Sequence, residues 1–324
     1  MKISFKRSAN LLGSFISWVG NVLYKDFDKA LGMPVFVNIE LTNCCNLRCP
    51  ECATGSGVLK RPAGFMDIGL YKKITDELGP YLMNMNLYFQ GESMMHPDFF
   101  QILELSKGIP VTLSTNGHFL VNQPDRLVSS GLRKLIVSVD GSDQDTYSAY
   151  RKGGNIDIVF KGLEKIKEAR KRTDSKMKVE IQMLVNSFNE HQIDEVREIA
   201  RLNNATFTPK SMQVLSYGRI GNWMPASESL KRYRFVNGEY RIKSGLPDRC
   251  ARQWFNPVVT WDGKVIPCCF DKDADYIMGD LNISTFREIW NGHRYRKFRR
   301  EISKNRRGIE MCCNCTSGLG AVKH

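Results

Sequence analysis

Three cysteines inside one short loop, Cys45, Cys49 and Cys52, constrain this chain more than any other feature of it. They follow Val35 to Glu40, an apolar alternating run that reads as a strand, with Leu41 to Cys44 leading out of it. Arg48 and Pro50 interrupt any helical repeat, so the loop can bring the thiols to one centre. A cubane iron-sulfur cluster has four iron corners, and three thiolates hold three of them, leaving one iron open to a chelating ligand. A tetrahedral zinc site would want a fourth donor, and the nearest spare thiol, Cys44, adjoins Cys45 and points elsewhere.

The spacing C-x3-C-x2-C with Asn46-Leu47-Arg48 inside it resembles the signature of the radical S-adenosylmethionine (SAM) superfamily. The resemblance implies that the amino and carboxylate groups of SAM chelate the open iron of a 4Fe-4S cluster. It also implies that the reduced cluster cleaves SAM to a 5′-deoxyadenosyl radical, which takes a hydrogen atom from substrate. A structural zinc knot is the competing expectation.

A chain of 324 residues with 42% hydrophobic content has room for one large domain and a small one. Its ten cysteines fall into two groups, residues 44–52 and 250–315, with none between. That clustering suits metal ligation in a reducing, cytoplasmic compartment, since disulfide frameworks belong mostly to small secreted chains. The net charge of +13 points to an anionic partner, with nucleic acid the less favoured kind. Arg287 to Arg307 is a basic stretch whose plain reading is a solvated helical face. At the N-terminus Lys2, Lys6 and Arg7 precede Leu11, Phe15, Trp18, Val19, Val22 and Leu23 at helical, one-sided spacing. Residues 1–33 are expected to be an amphipathic segment packed on the body, with peripheral membrane contact as the alternative.

From Pro34 onward, β-rich runs alternate with amphipathic stretches. The runs are Val35 to Glu40, Asn84 to Gln90, Pro110 to Ser114, Lys134 to Val139, Met177 to Val185 and Thr206 to Ser216. The stretches are Leu70 to Leu78, Phe99 to Ser106, Ile156 to Arg170 and Ile193 to Leu202. Such units imply an α/β fold with a parallel sheet and right-handed crossovers, here a partial (β/α)6 TIM-like barrel over residues 34–217. Its ligands would sit at the C-terminal ends of the strands. Residues 218–246, with scattered glycines and charges, read as a linker or cap, and residues 247–324 as a small cysteine-rich iron-sulfur domain.

Several strand ends resemble segments that bind SAM in the family. Gln90-Gly91-Glu92 is similar to its G-G-E motif, with Glu92 placed to accept from the SAM ammonium. Ser114-Thr115-Asn116 and Ser138 with Asp140 are similar to segments that line the ribose and methionine. Arg151 is a candidate partner for the SAM carboxylate, and Met183 with Val185 for the adenine. Asn-Gly and Asp-Gly turns or ordinary core packing explain the same residues without a ligand. His96 is read as structural. Asp262, Asp271 and Tyr88 are unranked candidates for proton exchange with substrate.

In the second group, Val258 to Trp261 and Lys264 to Ile266 read as a hairpin turning at Asp262-Gly263. Together with Cys250, Cys268-Cys269 and Cys312-Cys313-Asn314-Cys315, it resembles the SPASM or twitch auxiliary-cluster domains. Six cysteines imply one auxiliary 4Fe-4S cluster. Its expected ligands are Cys250, Cys268, Cys312 and Cys315, with Cys269 or Cys313 as substitutes, and a zinc ribbon is the plainer alternative.

The resemblance implies an oxidoreductase-type radical SAM enzyme acting on a peptide or protein and drawing electrons from a reductant such as ferredoxin or flavodoxin. No room is expected before Pro34 for a separate peptide-recognition domain, which keeps a small anionic sugar, nucleotide or polyol close behind. A metal-stabilised binding protein without catalysis is the third expectation.

Overall fold

The computed structural model describes residues 4–315. Helix α1 (Phe5–Leu23) comes first, and the strand-helix alternation then begins with β1 (Phe36–Ile39) and α2 (Ile68–Leu78). It continues through β2 (Asn84–Leu87), α3 (Phe99–Leu105), β3 (Val111–Thr115), α4 (Pro124–Ser129) and β4 (Lys134–Ser138). After these come α5 (Gln144–Tyr150), α6 (Ile156–Arg172), β5 (Lys178–Val185), α7 (Ile193–Leu202) and β6 (Thr206–Ser211). Strands β1 to β6 pair in sequence order and all in parallel, the arrangement expected of a partial barrel.

Alternation along the strands sorts side chains to the two faces. Val37, Ile39, Met85, Leu87, Val111, Leu113, Leu135, Val137, Val179, Ile181, Met183 and Val185 form one buried cluster with Ile74, Leu78, Val159, Leu163, Ile166 and Val196 of the helices. The opposite, concave face is polar near its base. Asn86 donates to Asn38 at 2.7 Å, Asn84 donates to Asn86 at 2.7 Å, and Lys134 pairs with Glu180 at 2.5 Å. Burying such groups is tolerable because each finds a partner.

The stretch read as a linker is structured. It holds α8 (Ile220–Trp223) and the hairpin β7 (Tyr233–Val236) and β8 (Glu239–Ile242), which turns at Asn237 and Gly238, both at positive φ. Ile220, Trp223 and Tyr233 pack with Leu47, Cys49 and Tyr150, so the segment caps the cysteine loop.

After α9 (Arg252–Phe255), the chain forms β9 (Val258–Val259), β10 (Lys264–Ile266) and β11 (Gly279–Asp280), followed by α10 (Phe286–Trp290) and α11 (His293–Asn305). The hairpin foreseen at Asp262-Gly263 is present, with Gly263 at φ 86°. The sequence does not announce where it goes: β9 lies parallel against β1, so the barrel sheet and the C-terminal strands are one sheet in the order β11-β10-β9-β1-β2-β3-β4-β5-β6. Among the described residues no helix is long and apolar enough to cross a membrane.

Candidate active site

The cysteine loop leaves β1 at the C-terminal ends of the parallel strands. It is held by backbone bonds from neighbouring loops: Arg48 N donates to Lys152 O at 2.9 Å and Glu92 N donates to Cys44 O at 2.8 Å. Inside it, Cys52 N donates to Cys49 O at 3.2 Å and Leu47 N to Cys45 Sγ at 3.4 Å. Cys45, Cys49 and Cys52 all pack in the cluster that includes Leu47, Tyr150 and Trp223. Burial pushes the Cys45 thiol up to about 11, and burial likewise raises Cys49. Among the described residues no disulfide forms.

These residues fit an iron-sulfur cluster by the chemistry of the donors. Three reduced thiols from one loop pack against the same apolar cluster, and a metal centre that binds them takes the place of their protons. Among the described residues no three His, Cys, Asp or Glu side chains converge tightly enough for a single ion. In a cubane cluster each of the three thiolates would sit on its own iron.

The Gln90-Gly91-Glu92 turn closes onto this loop. A Cβ on Gly91, whose φ is 74°, would meet Thr42 O at 2.5 Å and Cys44 O at 2.6 Å, so glycine here serves contact with the cysteine loop's backbone. Glu92 is fully buried, and its carboxylate accepts from Asn116 N at 2.7 Å and Met94 N at 3.2 Å. Burial raises its pKa, the hydrogen bonds opposing. In this arrangement Glu92 clamps the end of β3 to the cysteine loop. Asn116, thus fixed, donates to Asn46 Oδ1 at 2.7 Å and lies 4.0 Å from Cys45 Sγ. Thr115 accepts from Gly117 N at 3.1 Å, while Ser114, next to last in β3, and Ser138, last in β4, are half-buried. Gln90 accepts from Thr54 Oγ1 at 3.4 Å.

Asp140 and Arg151 form a buried pair, Arg151 Nε to Asp140 Oδ2 at 2.5 Å, and Asp140 Oδ1 also accepts from Leu184 N at 2.6 Å. Burial works against the Arg151 charge, but Asp140 and the Cys49 thiol outweigh it and hold the guanidinium charged. Its Nη1 stands 3.9 Å from Cys49 Sγ. The arginine read as a SAM partner therefore sits beside the cysteine loop, already oriented by one carboxylate.

Met183 and Val185 are in a different place from the one expected of them. Both are fully buried in the sheet-helix core, facing away from the cleft, and it is Leu184 between them that lines it. Strand alternation is the reason, since neighbours on β5 point to opposite faces. His96 is structural, as read: its ring accepts from Asp98 N at 3.0 Å and contacts Met66 O at 2.8 Å.

Of the second cysteine group, Cys250, Cys268, Cys312 and Cys315 are buried, Cys269 is half-buried and Cys313 is exposed. Cys313 Sγ turns to the carbonyls of Arg307 and Ile309, so it does not join the other four. Two cations serve this group. Arg306 Nη2 donates to Cys315 Sγ at 3.2 Å, and Arg252 Nη1 to Cys269 Sγ at 3.6 Å. Four buried thiols with arginines beside them match the donor set of a closed cluster and the cationic shell that tunes one. Asp271 and Asp262 serve as local caps: Asp271 accepts from Asp275 N and Tyr276 N, and Asp262 accepts from Thr260 Oγ1.

Beside the N-terminal cysteine loop lies a cleft of about 600 Å³ lined by Glu51, Cys52, Gln90, Gly91, Tyr150, Leu184, Lys210, Arg232 and Lys272. The three cations went unread in the sequence because they come from three separate segments. Burial lowers the pKa of Arg232 and of Lys272, and Arg232 Nε and Nη1 are buried without a hydrogen-bond partner. A group so placed is ready for an acceptor that the protein does not itself supply.

Comparison with known proteins matches residues 39–202 to the Radical SAM superfamily model and residues 250–316 to the SPASM iron-sulfur cluster-binding domain. The chain is 28% identical over 191 residues to the mycofactocin maturase MftC of Mycobacterium tuberculosis, covering 57% of this chain and 46% of that one. It thus spans about half the length of the mycofactocin maturases it matches. It is 24% identical to the AdoMet-dependent heme synthase of Methanosarcina barkeri, over 87% of this chain and 91% of that one. Among solved structures, Streptococcus suis SuiB bound to S-adenosylmethionine superposes with a TM-score of 0.66 at 14% identity, over 98% of this chain and 80% of that one. BtrN in complex with AdoMet and 2-DOIA gives 0.56 at 20% identity, over 88% and 93%. Both share the fold.

Proposed function

Because the chain belongs to the radical SAM superfamily and carries a SPASM domain, we propose that it is an oxidoreductase-type enzyme that modifies a peptide or protein. The observation that carries the reading is the cleft beside the three-thiol loop, whose wall holds Cys52, the Gln90-Gly91 turn and, from the C-terminal segment, Lys272. Cys45, Cys49 and Cys52 hold the SAM-binding 4Fe-4S cluster, and Cys250, Cys268, Cys312 and Cys315 hold one auxiliary cluster. When bound, the first cluster and SAM would supply a 5′-deoxyadenosyl radical for hydrogen-atom abstraction from substrate, and an auxiliary cluster would supply a one-electron acceptor.

The protein's own residues prepare that site. Gly91 lets the Gln90–Glu92 turn lie against the cysteine loop, and Glu92 fixes Asn116 over Cys45. Asp140 aims Arg151, whose remaining donors face the loop as a carboxylate partner. Leu184 and Tyr150 give the cleft an apolar wall that keeps water from the reacting centre. A peptide substrate is supported by the fold shared with SuiB, which has been solved with its precursor peptide SuiA, and by the maturase relatives. Electrons come from a cytoplasmic reductant of the ferredoxin or flavodoxin kind.

Anaerobic reconstitution with iron and sulfide, followed by dithionite and SAM, is expected to yield 5′-deoxyadenosine. Replacing Cys45, Cys49 and Cys52 together by Ala should abolish it while the auxiliary cluster's visible absorption remains. Absence of the nucleoside from the reconstituted wild type would overturn the reading.

A second reading is favoured by Lys210, Arg232 and Lys272: the substrate is a small anionic molecule whose phosphate or carboxylate they receive. Arg232→Gln should then raise the KM of an anionic substrate while leaving substrate-free SAM cleavage unchanged. An unaltered KM would leave the peptide reading alone.

A further inference from the structure

Helix α1 packs on the body by the wrong side for an ordinary amphipathic helix. Its buried residues are Asn10, Ser14, Ser17 and Asn21, spaced four, three and four apart. All four bond to the loop that follows: Asn10 to Met33 N and O, Ser14 to Met33 O at 2.9 Å, Ser17 to Leu31 N at 2.8 Å, and Asn21 to Phe27 O at 2.8 Å. The polar side is thus consumed as a seam. The apolar side faces out, with Phe5 89% exposed, Leu12 59%, Leu23 68% and Tyr24 71%, and with Phe15 and Ile16 also exposed. These side chains lie on one stripe of the helix, and the helix carries no acidic residue. An apolar surface this continuous marks an interaction site.

The charges around the stripe select its partner. Lys6 and Arg7 stand at its N-terminal end. At its C-terminal end lies α11, HRYRKFRREISKN, which has six Lys or Arg against one Glu. Ser303 of α11 donates to Asn21 at 2.9 Å, joining the two helices. Part of this charge is engaged: Lys304 pairs with Asp26 at 3.0 Å, Arg296 and Arg300 share Asp28, Lys297 pairs with Glu301 and Arg299 is buried, so five cations outside the core face three carboxylates and this end stays basic. What remains is a protruding apolar ridge with cations at both ends.

We propose that α1 docks the protein on an anionic phospholipid surface, its outward Phe, Leu and Ile side chains entering the headgroup-acyl boundary and the cations of Lys6, Lys25 and α11 meeting lipid phosphates. An amphipathic helix with basic flanks lies in the interface in this way without spanning it, and no described helix is able to span. A second copy suits the surface poorly, because a self-complementary contact would set one cationic rim against another on chains of net charge +13. The stripe is also a ridge, whereas peptide anchors seat in grooves.

The test is flotation of the reconstituted holoenzyme with vesicles of phosphatidylcholine, alone or with about one third phosphatidylglycerol, at low and high salt. Wild type is expected to float with the anionic vesicles about tenfold better than with the neutral ones, and less at high salt. The triple variant Leu12→Ser, Phe15→Ser, Ile16→Ser should lose that binding by about tenfold or more while keeping wild-type SAM cleavage. Lys297→Gln with Arg294→Gln should weaken binding and flatten its salt dependence. The proposal is overturned if wild type stays with the soluble fraction, if the triple variant still floats, or if sedimentation shows that the triple variant has instead broken a dimer.

Discussion

Asp140 is bound on three sides, by Arg151 Nε, by Leu184 N and by Asn189 Nδ2 on its backbone oxygen, and among the described residues no other carboxylate pairs with Arg151. Asp140→Ala would leave a buried guanidinium uncompensated, and breaking such a pair costs about 3–5 kcal/mol. Urea denaturation of the variant should show a loss in that range; a loss below about 1 kcal/mol would mean that water reaches Arg151 and that the pair is a surface one. The neighbouring strand yields a sharper contrast. Met183→Ala should cost about 2–5 kcal/mol of stability as a core cavity, yet leave SAM binding near wild type. Leu184→Ala should do the reverse, holding the melting temperature but weakening SAM or substrate affinity by equilibrium titration. If Met183→Ala alone weakens SAM binding, the assignment of faces on β5 is wrong. This parity was legible in the strand itself. Lys178, Glu180 and Gln182 alternate with Val179, Ile181, Met183 and Val185, which marks the face of Met183 and Val185 as the core side and leaves Leu184 on the polar one; following the family resemblance passed over that alternation. Asp140, just past the end of β4, and Arg151, at the C-terminus of α5, were singled out by the resemblance alone; their pairing with each other joins two elements and carries no local signal.

The elements themselves were easier to read than their partners. Strand β5 and helices α6 and α7 stand close to where periodicity put them, since long amphipathic segments carry strong signals. Helices α4 and α5, seven residues or fewer, were passed over, and so was the β7–β8 hairpin, whose Asn237-Gly238 turn lay unrecognised among charges. For α1 the spacing predicted a helix but not its orientation. That orientation depends on Gly32, where a Cβ would meet Ser14 Oγ at 2.5 Å, Asn10 O at 2.6 Å and Ser14 N at 2.8 Å. Gly32→Ala must push the helix off its seam and should cost about 1–3 kcal/mol, as overpacking does. Hydrogen exchange should then rise at Leu31 and Met33, whose amides donate to Ser17 and Asn10. Unchanged protection there would show that the seam does not hold α1 in place.

At the scale of the molecule, the two family segments behave as one body because the connections between them are buried and numerous. Strand β9 pairs with β1, Asn38 to Val258 and Ile39 to Val259. Just above, Glu40 receives Arg61 at 2.8 and 2.6 Å and Trp261 N at 3.2 Å, while Arg61 Nε donates to Lys272 O at 2.9 Å. On the other side Trp290 Nε1 donates to Gly32 O at 2.8 Å. Arg299, fully buried, donates to Asp28 O at 3.1 Å and lies 4.4 to 4.6 Å from the rings of Trp254, Trp290 and Tyr295. A guanidinium over three aromatic faces is desolvated yet compensated. The pairing between the two segments was not visible in the sequence, because each contact that joins them links residues over two hundred positions apart. Unfolding should therefore be cooperative across both segments. Calorimetry of the anaerobic holoprotein is expected to show one transition, and Cys250→Ala, which removes a proposed ligand that is also part of the main core cluster, should lower the midpoint of that same transition. Two separate transitions, with only the upper or only the lower one moved by Cys250→Ala, would show that the C-terminal domain folds independently of the barrel it extends.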